Sequence, residues 1–365
     1  MFFQPFTEAS PAGDFFIAFL GIFLEGAPYI FLGTLISGFI DAYLPSGMMD
    51  RLLPKNRSAA IFLSGFLGLI FPVCECAIVP VIRRLVQKGL PVSCAITYML
   101  SAPIINPIVV YSTFSAFNTG GENGVLNAWY MSASRLGIAY VVAVIVGFVV
   151  QRIAIKAVLS KRVLDGIEED KHEDHDHGHT EEDHKHDDHD HSHAEEGHDH
   201  DHKHADHDHA DHDHDHDHKP EPEGGSRLVH AMRTAQRDLL DTGMYFTIGV
   251  LITALYRSQI PRDAIDHLAS NDFIGVPLMM CLAFILSLCS ASDAFIAAQM
   301  LFSAAARQAF LVFGPMLDVK LVFMYLIVFQ RRFVLYLVIG LFFLIAAICM
   351  MWGTTIPTIA PGLNP

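Results

Sequence analysis

The sequence predicts an all-α polytopic membrane protein. It is expected to have two homologous halves with broken or re-entrant helices, joined by a disordered His/Asp-rich cytoplasmic loop. Three observations predict this class: long apolar segments, similarity between the two halves, and one tract that holds nearly all the histidines. The predicted boundaries are 1–159 for the first membrane repeat, 160–226 for the loop and 227–365 for the second membrane repeat.

Long apolar segments make up most of the chain outside the loop. Of the 365 residues, 52% are hydrophobic and only 17% are charged, whereas charged residues are about 25% of an ordinary soluble protein. A helix that crosses a bilayer needs roughly 20 apolar residues. Such segments occur at 15–40, 59–82, 92–117, 128–150, 240–256, 273–289, 309–329 and 333–352. This pattern indicates a multi-pass protein of the inner (cytoplasmic) membrane.

The tract between the halves concentrates the acidic residues and the histidines. Residues 168–223 hold 24 of the 39 Asp and Glu residues and 19 of the 21 histidines. A segment with almost no apolar residue cannot form a core and is expected to be disordered. Imidazole suits Zn, Cu and Ni, so the tract is predicted to collect metal ions in the cytoplasm. The candidate ligands are His175, His177, His179, His189, His191, His193, His198, His200, His202, His204, His207, His209, His212, His214, His216 and His218.

The two halves resemble each other in sequence. Residues 24–45 align without gaps to residues 240–261, at an offset of 216. Near the same offset, Cys74 falls on Cys289 and Asn106 falls on Asp318. Internal repeats are the usual architecture of secondary transporters, so we interpret the chain as an internal duplication.

The positions of Lys and Arg bear on topology, because cytoplasmic loops carry an excess of these residues. Basic clusters at 51–57 and 83–88 flank the apolar segment 59–82. If that segment enters the membrane and returns, both clusters are cytoplasmic. Each half then has three spans and one re-entrant hairpin, and the second half is inverted. We favour this interpretation, while a parallel arrangement of eight spans stays open, and both place the loop 160–226 in the cytoplasm.

Ionisable groups within apolar segments mark candidate pathways, because a charge in a bilayer is costly. Glu25 and Asp241 coincide in the repeat alignment, and both are candidates for proton coupling.

Three adjacent polar residues, Cys74, Glu75 and Cys76, form the first candidate site. They follow Phe71-Pro72, and proline obstructs a continuous helix. In such a broken segment, residues two apart can turn the same way, so two thiolates could share one soft ion. Thiolates bind Zn²⁺ and select Cu⁺, and Glu75 could take up a proton as the ion leaves.

The second candidate group is the polar stretch SLCSASDAF at 287–295. The repeat alignment predicts that it faces the first group. Broken helices with freed carbonyls are where transporters hold ions and substrates. We expect the two groups to form one midplane site. The further residues predicted for this pathway are Asn106, Cys289, Ser290, Ser292, Asp293 and Asp318.

Four motifs carry a resemblance to a known family. In order, FPVCECAIVPVIRRLVQKGLP, SAPIINPIVV, SLCSASDAFIAA and GPMLDVKL resemble the ArsP-like predicted permease family, over nearly the whole membrane portion. The resemblance implies an efflux permease, with organoarsenical export ascribed to some members. A subgroup with a histidine-rich central loop is described as copper/zinc efflux transporters, and this sequence is most similar to that subgroup.

Residues and resemblance together predict a secondary-active permease, not an enzyme, that exports Zn²⁺ and/or Cu⁺ through the midplane site. No G-x-x-x-x-G-K-[ST] loop occurs, so transport would use a gradient rather than a nucleotide. We expect no cofactor besides the cargo ion and no nucleic-acid partner, and a homo-oligomer stays open. One alternative is an exporter of trivalent organoarsenicals or other thiol-reactive small molecules. A second alternative is a membrane metal sensor.

Overall fold

The computed structural model describes the membrane portion of the chain. The described residues are 11–44, 54, 56–70, 73–118, 124–161, 163–164, 224–257, 272–300 and 302–359. The sixteen candidate metal-binding histidines of the loop lie outside them. In chain order the described helices are α1 (Pro11–Tyr43), α2 (Arg57–Ser64), α3 (Leu67–Ile70), α4 (Glu75–Gln87), α5 (Val92–Ser101), α6 (Pro107–Phe117), α7 (Gly124–Gln151), α8 (Ile155–Val158), α9 (Gly224–Arg257), α10 (Asp272–Leu286), α11 (Asp293–Gln299), α12 (Ala304–Met316), α13 (Val319–Val328) and α14 (Arg331–Ile359).

Five segments within the described residues are long and apolar enough to cross a membrane. They are Phe15–Tyr43, Gly124–Gln151, Arg227–Leu255, Ala304–Val328 and Arg331–Thr355. The protein is therefore mostly helical and membrane-spanning, as the composition predicts. The apolar segments at 59–82 and 92–117 are instead divided into shorter helices, and the segment at 273–289 forms one short helix that ends at Leu286. The span Ala304–Val328 is itself interrupted between Met316 and Val319. Polar residues at these interruptions lie at or between helix ends.

The helices α1 and α9 pack against each other and run antiparallel. Near the end of α1, Gly38 lies so close to Ala231 that a Cβ at Gly38 would overlap the carbonyl oxygen of Ala231. Nearer the start of α1, the ring of Phe23 lies 6.1 Å from that of Phe246. Residues nearer the C-terminal end of α1 therefore contact residues nearer the N-terminal end of α9, so the two helices run in opposite directions.

The helices α2, α3 and α4 form a hairpin that enters the bundle and returns. Arg57 at the start of α2 lines one groove together with Val92 and Gln151. Just beyond α4, the Lys88 ammonium lies 3.9 Å from Asp41, one turn before Val92. Both ends of this hairpin therefore lie at the same end of the bundle, and its tip includes Val73 and Cys74.

The helices α10 and α11 form a second hairpin from the opposite end. A Cβ at Gly275, near the start of α10, would lie 3.7 Å from Ala306 at the start of α12. Farther along, a Cβ at Gly314 would lie 3.6 Å from Ala283, so α10 and α12 are parallel. The tip of this hairpin is the connection 287–292. It begins at Ser287, whose φ of 48° lies in the left-handed region that disfavours residues other than glycine.

One end of the bundle carries most of the described basic residues, and we call it the basic end. It contains the C-terminal end of α1, the N-terminal half of α9 and the chain around the β-bridge between Leu159 and Phe329. At the other end, the Arg307 guanidinium lies over the ring of Phe117, 5.7 Å from its centroid. The described basic residues at the basic end are Arg57, Arg83, Arg84, Lys88, Arg152, Lys156, Lys161, Arg227, Arg233, Arg237, Arg331 and Arg332.

Candidate functional site

The two hairpin tips meet inside the bundle at Glu75 and Ser290. The Ser290 hydroxyl donates a hydrogen bond to Glu75 Oε2 at 3.2 Å, and both residues are only 2% exposed. The residues are 215 positions apart in the chain, so only the fold brings them together. A buried carboxylate here has no bulk water to solvate it, so each of its polar partners matters.

The three thiols named by the sequence line one cavity with Glu75. The cavity measures about 20 Å³, which is room for roughly one water molecule. All three thiols are free. The described residues that line the cavity are Ile22, Glu25, Gly26, Tyr29, Cys74, Glu75, Cys76, Phe246, Ser287, Cys289 and Lys320. The structure therefore brings Cys74, Glu75, Cys76 and Cys289 together, with Glu25 also at the cavity.

The helix break explains how Cys74, Glu75 and Cys76 reach the cavity together. Cys74 has an extended backbone, with φ −74° and ψ 166°, and immediately precedes α4. Its carbonyl accepts hydrogen bonds from the amides of Ala77 and Ile78, both at 3.2 Å. Glu75 is the first residue of α4, where the helix dipole favours a negative charge. The three side chains are therefore presented by a helix start rather than by a continuous helix face.

A buried lysine, which the sequence interpretation did not name, stands between the tips. Lys320 Nζ lies 2.9 Å from Asp318 Oδ2 and 3.8 Å from Glu75 Oε1, and it donates to the Ser287 carbonyl at 2.8 Å. Asp318 caps α13 by accepting from the Leu321 amide at 2.7 Å. The predicted residue Asp318 is thus a cap and a lysine partner behind the cavity lining.

Asn106 has the same capping role at α6. Its side-chain oxygen accepts from the amide of Ile108 at 3.0 Å, and Pro107 occupies the first helical position, where a missing donor costs nothing. The side chain of Asn106 is only 6% exposed and is not among the described residues that line the thiol cavity.

Asp293 is also separated from the thiols, because it pairs with a second buried cation. Arg135 Nη2 lies 2.7 Å from Asp293 Oδ2 and 3.1 Å from the Ser290 carbonyl, while its Nη1 donates to Thr113 Oγ1 at 2.7 Å. Arg135 is 1% exposed. The sequence signal for this pair was available, because an arginine within the apolar segment 128–150 needs a partner.

The two candidates for proton coupling occupy different environments. Glu25 lies at the cavity and accepts a hydrogen bond from Ser292 Oγ at 3.1 Å. Asp241 lies 3.6 Å from Arg83, its side chain is 45% exposed, and it is not among the described residues that line the cavity.

A polar network closes the bundle between the cavity and the basic end. Asp238 is 2% exposed and accepts from both Arg84 Nε at 3.1 Å and Arg84 Nη2 at 3.0 Å. Ser37 Oγ also donates to Asp238 at 2.7 Å. Farther out, Asp41 accepts from Thr234 at 3.1 Å and lies 3.3 Å from His230 Nε2. The network joins α1, α4 and α9, so movement of any one helix must break part of it.

Throughout the described residues, no group of three or more His, Cys, Asp or Glu side chains is placed to hold a metal ion. The thiols and Glu75 therefore share a cavity without already having the geometry of a metal site. Binding of an ion by Cys74, Cys76 and Cys289 remains a prediction and would require the tips to shift.

Comparisons with known proteins agree on a family. The ArsP_1 family, described as predicted permease, matches residues 12–354. A protein of Streptococcus mutans, named as a proposed subunit of a two-component membrane permease complex, is 33% identical over 92% of this chain and 93% of its own. The UPF0718 protein YcgR of Bacillus subtilis is 32% identical over 88% of this chain and 90% of its own. No solved structure matches the chain. The chain therefore belongs to the ArsP_1 family of predicted permeases.

Proposed function

We propose that the protein is a secondary-active permease that exports soft or borderline metal ions, Zn²⁺ or Cu⁺, from the cytoplasm. The observation that supports this most directly is the cavity where three free thiols converge beside the buried carboxylate Glu75. Thiolates are the ligands that soft ions prefer. Membership of the family of predicted permeases supports a transporter rather than an enzyme. A transport site needs groups that bind the cargo and can also release it.

We propose further that residues 1–159 and 227–365 are inverted repeats. The antiparallel contact of α1 with α9 supports inversion, because the two helices occupy equivalent positions in the alignment. The two hairpins, which enter from opposite ends, support it as well. Asn106 and Asp318 cap the equivalent helices α6 and α13. Inverted repeats allow one half to rock against the other around a fixed midplane site.

The basic end is proposed to face the cytoplasm. Cytoplasmic loops carry an excess of Lys and Arg, and most described basic residues lie at this end. Helix α8 precedes the segment 165–223 and helix α9 follows it. The C-terminal end of α8 and the N-terminal end of α9 both lie at the basic end. The His/Asp tract is then cytoplasmic, where it could collect ions near the polar network of Asp238 and Arg84. Of the two coupling candidates, Glu25 is the better placed, because it lies at the cavity.

Substitution of the three thiols tests this function. We expect Cys74→Ser, Cys76→Ser and Cys289→Ser each to reduce uptake of labelled Zn²⁺ or Cu⁺ into everted vesicles by about tenfold or more per molecule. A thiolate ligand that contributes ~1.4 kcal/mol to ion binding changes the affinity tenfold when it is lost. The matched control is Cys94→Ser, since Cys94 is 1% exposed but is not among the described residues of the cavity. Wild-type rates for all three cavity variants, normalised to protein in the membrane, would contradict the proposal.

The alternative cargo is a trivalent organoarsenical or another thiol-reactive small molecule. The thiol cavity without a preformed metal geometry favours it as well, and the His/Asp tract would then be an accessory. A metal sensor is a weaker alternative, because the family and the Streptococcus mutans relative are named as permeases. We also propose that the protein assembles with a second copy or with another membrane protein, because one relative is named as a subunit of a two-component complex.

Deletion of residues 170–219 separates the two cargo hypotheses. We expect the deleted protein to insert and purify as a single species, because the segment has almost no apolar residue with which to stabilise a fold. A metal exporter should lose part of its metal resistance, whereas an organoarsenical exporter should keep its resistance to methylarsenite. Failure of the deleted protein to insert would show that the tract is structural.

A further inference from the structure

We propose that the groove between α7 and α14 binds one anionic phospholipid from the membrane leaflet at the basic end. The groove measures about 680 Å³. It lies at the seam between the two halves of the chain, because α7 belongs to the first half and α14 to the second. Three features support this occupant: the position of the groove on the bundle, the separation of its polar and apolar parts, and the charge at its polar end.

The groove opens on the outer surface of the bundle. Val149 of α7 and Tyr336 of α14 line it, and they are 57% and 72% exposed. Both helices are long and apolar enough to cross the membrane, so the exposed surface between them faces lipid. The molecules that reach this groove from the side are therefore phospholipids, and its shape and charge decide which of them stay bound.

The lining of the groove changes from polar to apolar in the order in which a phospholipid changes from headgroup to acyl chain. Gln330 and Arg332 line it at the basic end, and the lining on α14 then continues from Phe333 to Leu344 with Tyr336 as its one polar side chain. The distance from Phe333 to Leu344 along the helix is about 17 Å. One leaflet contributes about 15 Å of hydrocarbon to a bilayer. The apolar part of the groove therefore matches the length of one acyl chain.

Gly340 leaves room for that chain. It lines the groove, and a Cβ added at this position would meet no atom within 4 Å. The nearest lining residues along α14 are Leu337 and Leu341, so the space beside Gly340 has apolar walls. Nearer the basic end, Tyr336 lies one helical turn beyond Arg332, and tyrosine is enriched at the level of lipid headgroups.

Positive charge surrounds the polar end of the groove. Arg332 lines the groove itself, and each of three further exposed basic residues is adjacent in sequence to a lining residue: Arg152, Lys156 and Arg331. Within the described part of the chain, Asp41 and Asp238 at this end belong instead to the network that joins α1, α4 and α9. Juxtamembrane basic residues attract anionic lipids, so an anionic headgroup complements this end better than a zwitterionic one.

The charged end is tested with phosphatidylglycerol and phosphatidylcholine that carry the same acyl chains, because these lipids differ in net charge. Native mass spectrometry of the purified full-length protein in detergent measures how tightly each lipid is bound. We expect one phosphatidylglycerol to bind at least about fivefold more tightly than phosphatidylcholine, since one basic residue near the membrane surface contributes about this factor. Arg332→Gln should reduce the preference about fivefold. The matched control is Arg237→Gln, which removes an exposed cation of α9 that is not among the described lining residues and should leave the preference unchanged.

The apolar part is tested by filling it. Gly340→Leu places a side chain where the acyl chain would lie, and displacement of about two buried CH₂ groups should weaken the binding of both lipids by about tenfold. Gly137→Leu is the matched control, because a Cβ at Gly137 of α7 also meets no atom within 4 Å and Gly137 is not among the described residues that line the groove. Leucine is a better helix former than glycine, so neither variant should unfold at a lower temperature than the wild type.

Two results would overturn the inference on lipid binding. One is equal binding of the two lipids by the wild type. The other is that Arg332→Gln and Gly340→Leu bind lipid as their controls do. The same spectra report the oligomeric mass, and a Gly340→Leu variant that loses a dimer but keeps its lipid would identify the groove as a protein interface and would also overturn the inference. These results are independent of the cargo, because loss of the lipid preference leaves the proposed permease intact and failure of metal transport leaves the lipid site intact.

Discussion

Replacement of Arg135 by methionine is expected to lower the free energy of unfolding by about 3–5 kcal/mol, because it leaves the buried carboxylate of Asp293 without its partner. Arg135 makes three polar contacts, to Asp293, the Ser290 carbonyl and Thr113. Thermal unfolding of the purified protein in detergent measures the effect. Much of the loss belongs to the unpaired charge rather than to the contacts themselves.

A second substitution isolates that charge. The double variant Arg135→Met/Asp293→Asn removes both members of the pair, and we expect it to recover a large part of the lost stability. Arg135→Lys keeps the charge but not the planar guanidinium, whose two terminal nitrogens contact Thr113 and Asp293. Its free energy of unfolding should therefore lie between those of the wild type and the methionine variant. Unfolding of Arg135→Met at the wild-type temperature would show that the pair does not stabilise the bundle.

Replacement of Glu75 by glutamine is expected to reduce transport by roughly tenfold to a hundredfold. The neutral amide loses the extra strength of interactions with a charged group, and hydrogen bonds to charged groups are worth about 1.5–3 kcal/mol. The side chain keeps its size, and its amide oxygen can still accept the hydrogen bond from Ser290. Lys320 keeps its closer partner Asp318, so no new unpaired charge is created. Unfolding should therefore stay near the wild type while uptake into everted vesicles falls.

Asp241→Asn is the matched control for this prediction. It removes a carboxylate of the other repeat that is 45% exposed and pairs with Arg83, so transport should stay close to the wild-type rate. A Glu75→Gln variant that transports as fast as Asp241→Asn would exclude a role for the Glu75 charge in moving cargo.

The membrane class and the position of the cavity were accessible from the sequence. Apolar segments identify spans because bilayer thickness fixes their length. The cysteines of the first hairpin were recognised because they interrupt an apolar segment after a proline, and the repeat alignment then pointed to Cys289. These signals are local, or follow from one alignment, so they do not depend on knowing the packing.

The partners of the buried charges were not accessible in this way. Arg135 and Asp293 are 158 positions apart, and nothing in either segment names the other. Asp293 was therefore expected beside Cys289 in the cavity, whereas its carboxylate pairs with Arg135. At α9, the alignment drew attention to Asp241, but the buried carboxylate is Asp238, three residues earlier. One turn of a helix decides which side chain faces α1, and an alignment of apolar segments does not fix that rotation.

The contact of α1 with α9 has a consequence for biogenesis. Ser37 and its partner Asp238 are separated by 201 positions, and synthesis proceeds at about 5–20 residues per second. The ribosome thus needs roughly 10–40 s to produce Asp238 after Ser37 has emerged. During that interval α1 holds Glu25, Ser37 and Asp41 in or beside the bilayer without their partners from the second half. The nascent first half must therefore be sheltered, by the insertion machinery or at the membrane surface, until α9 arrives.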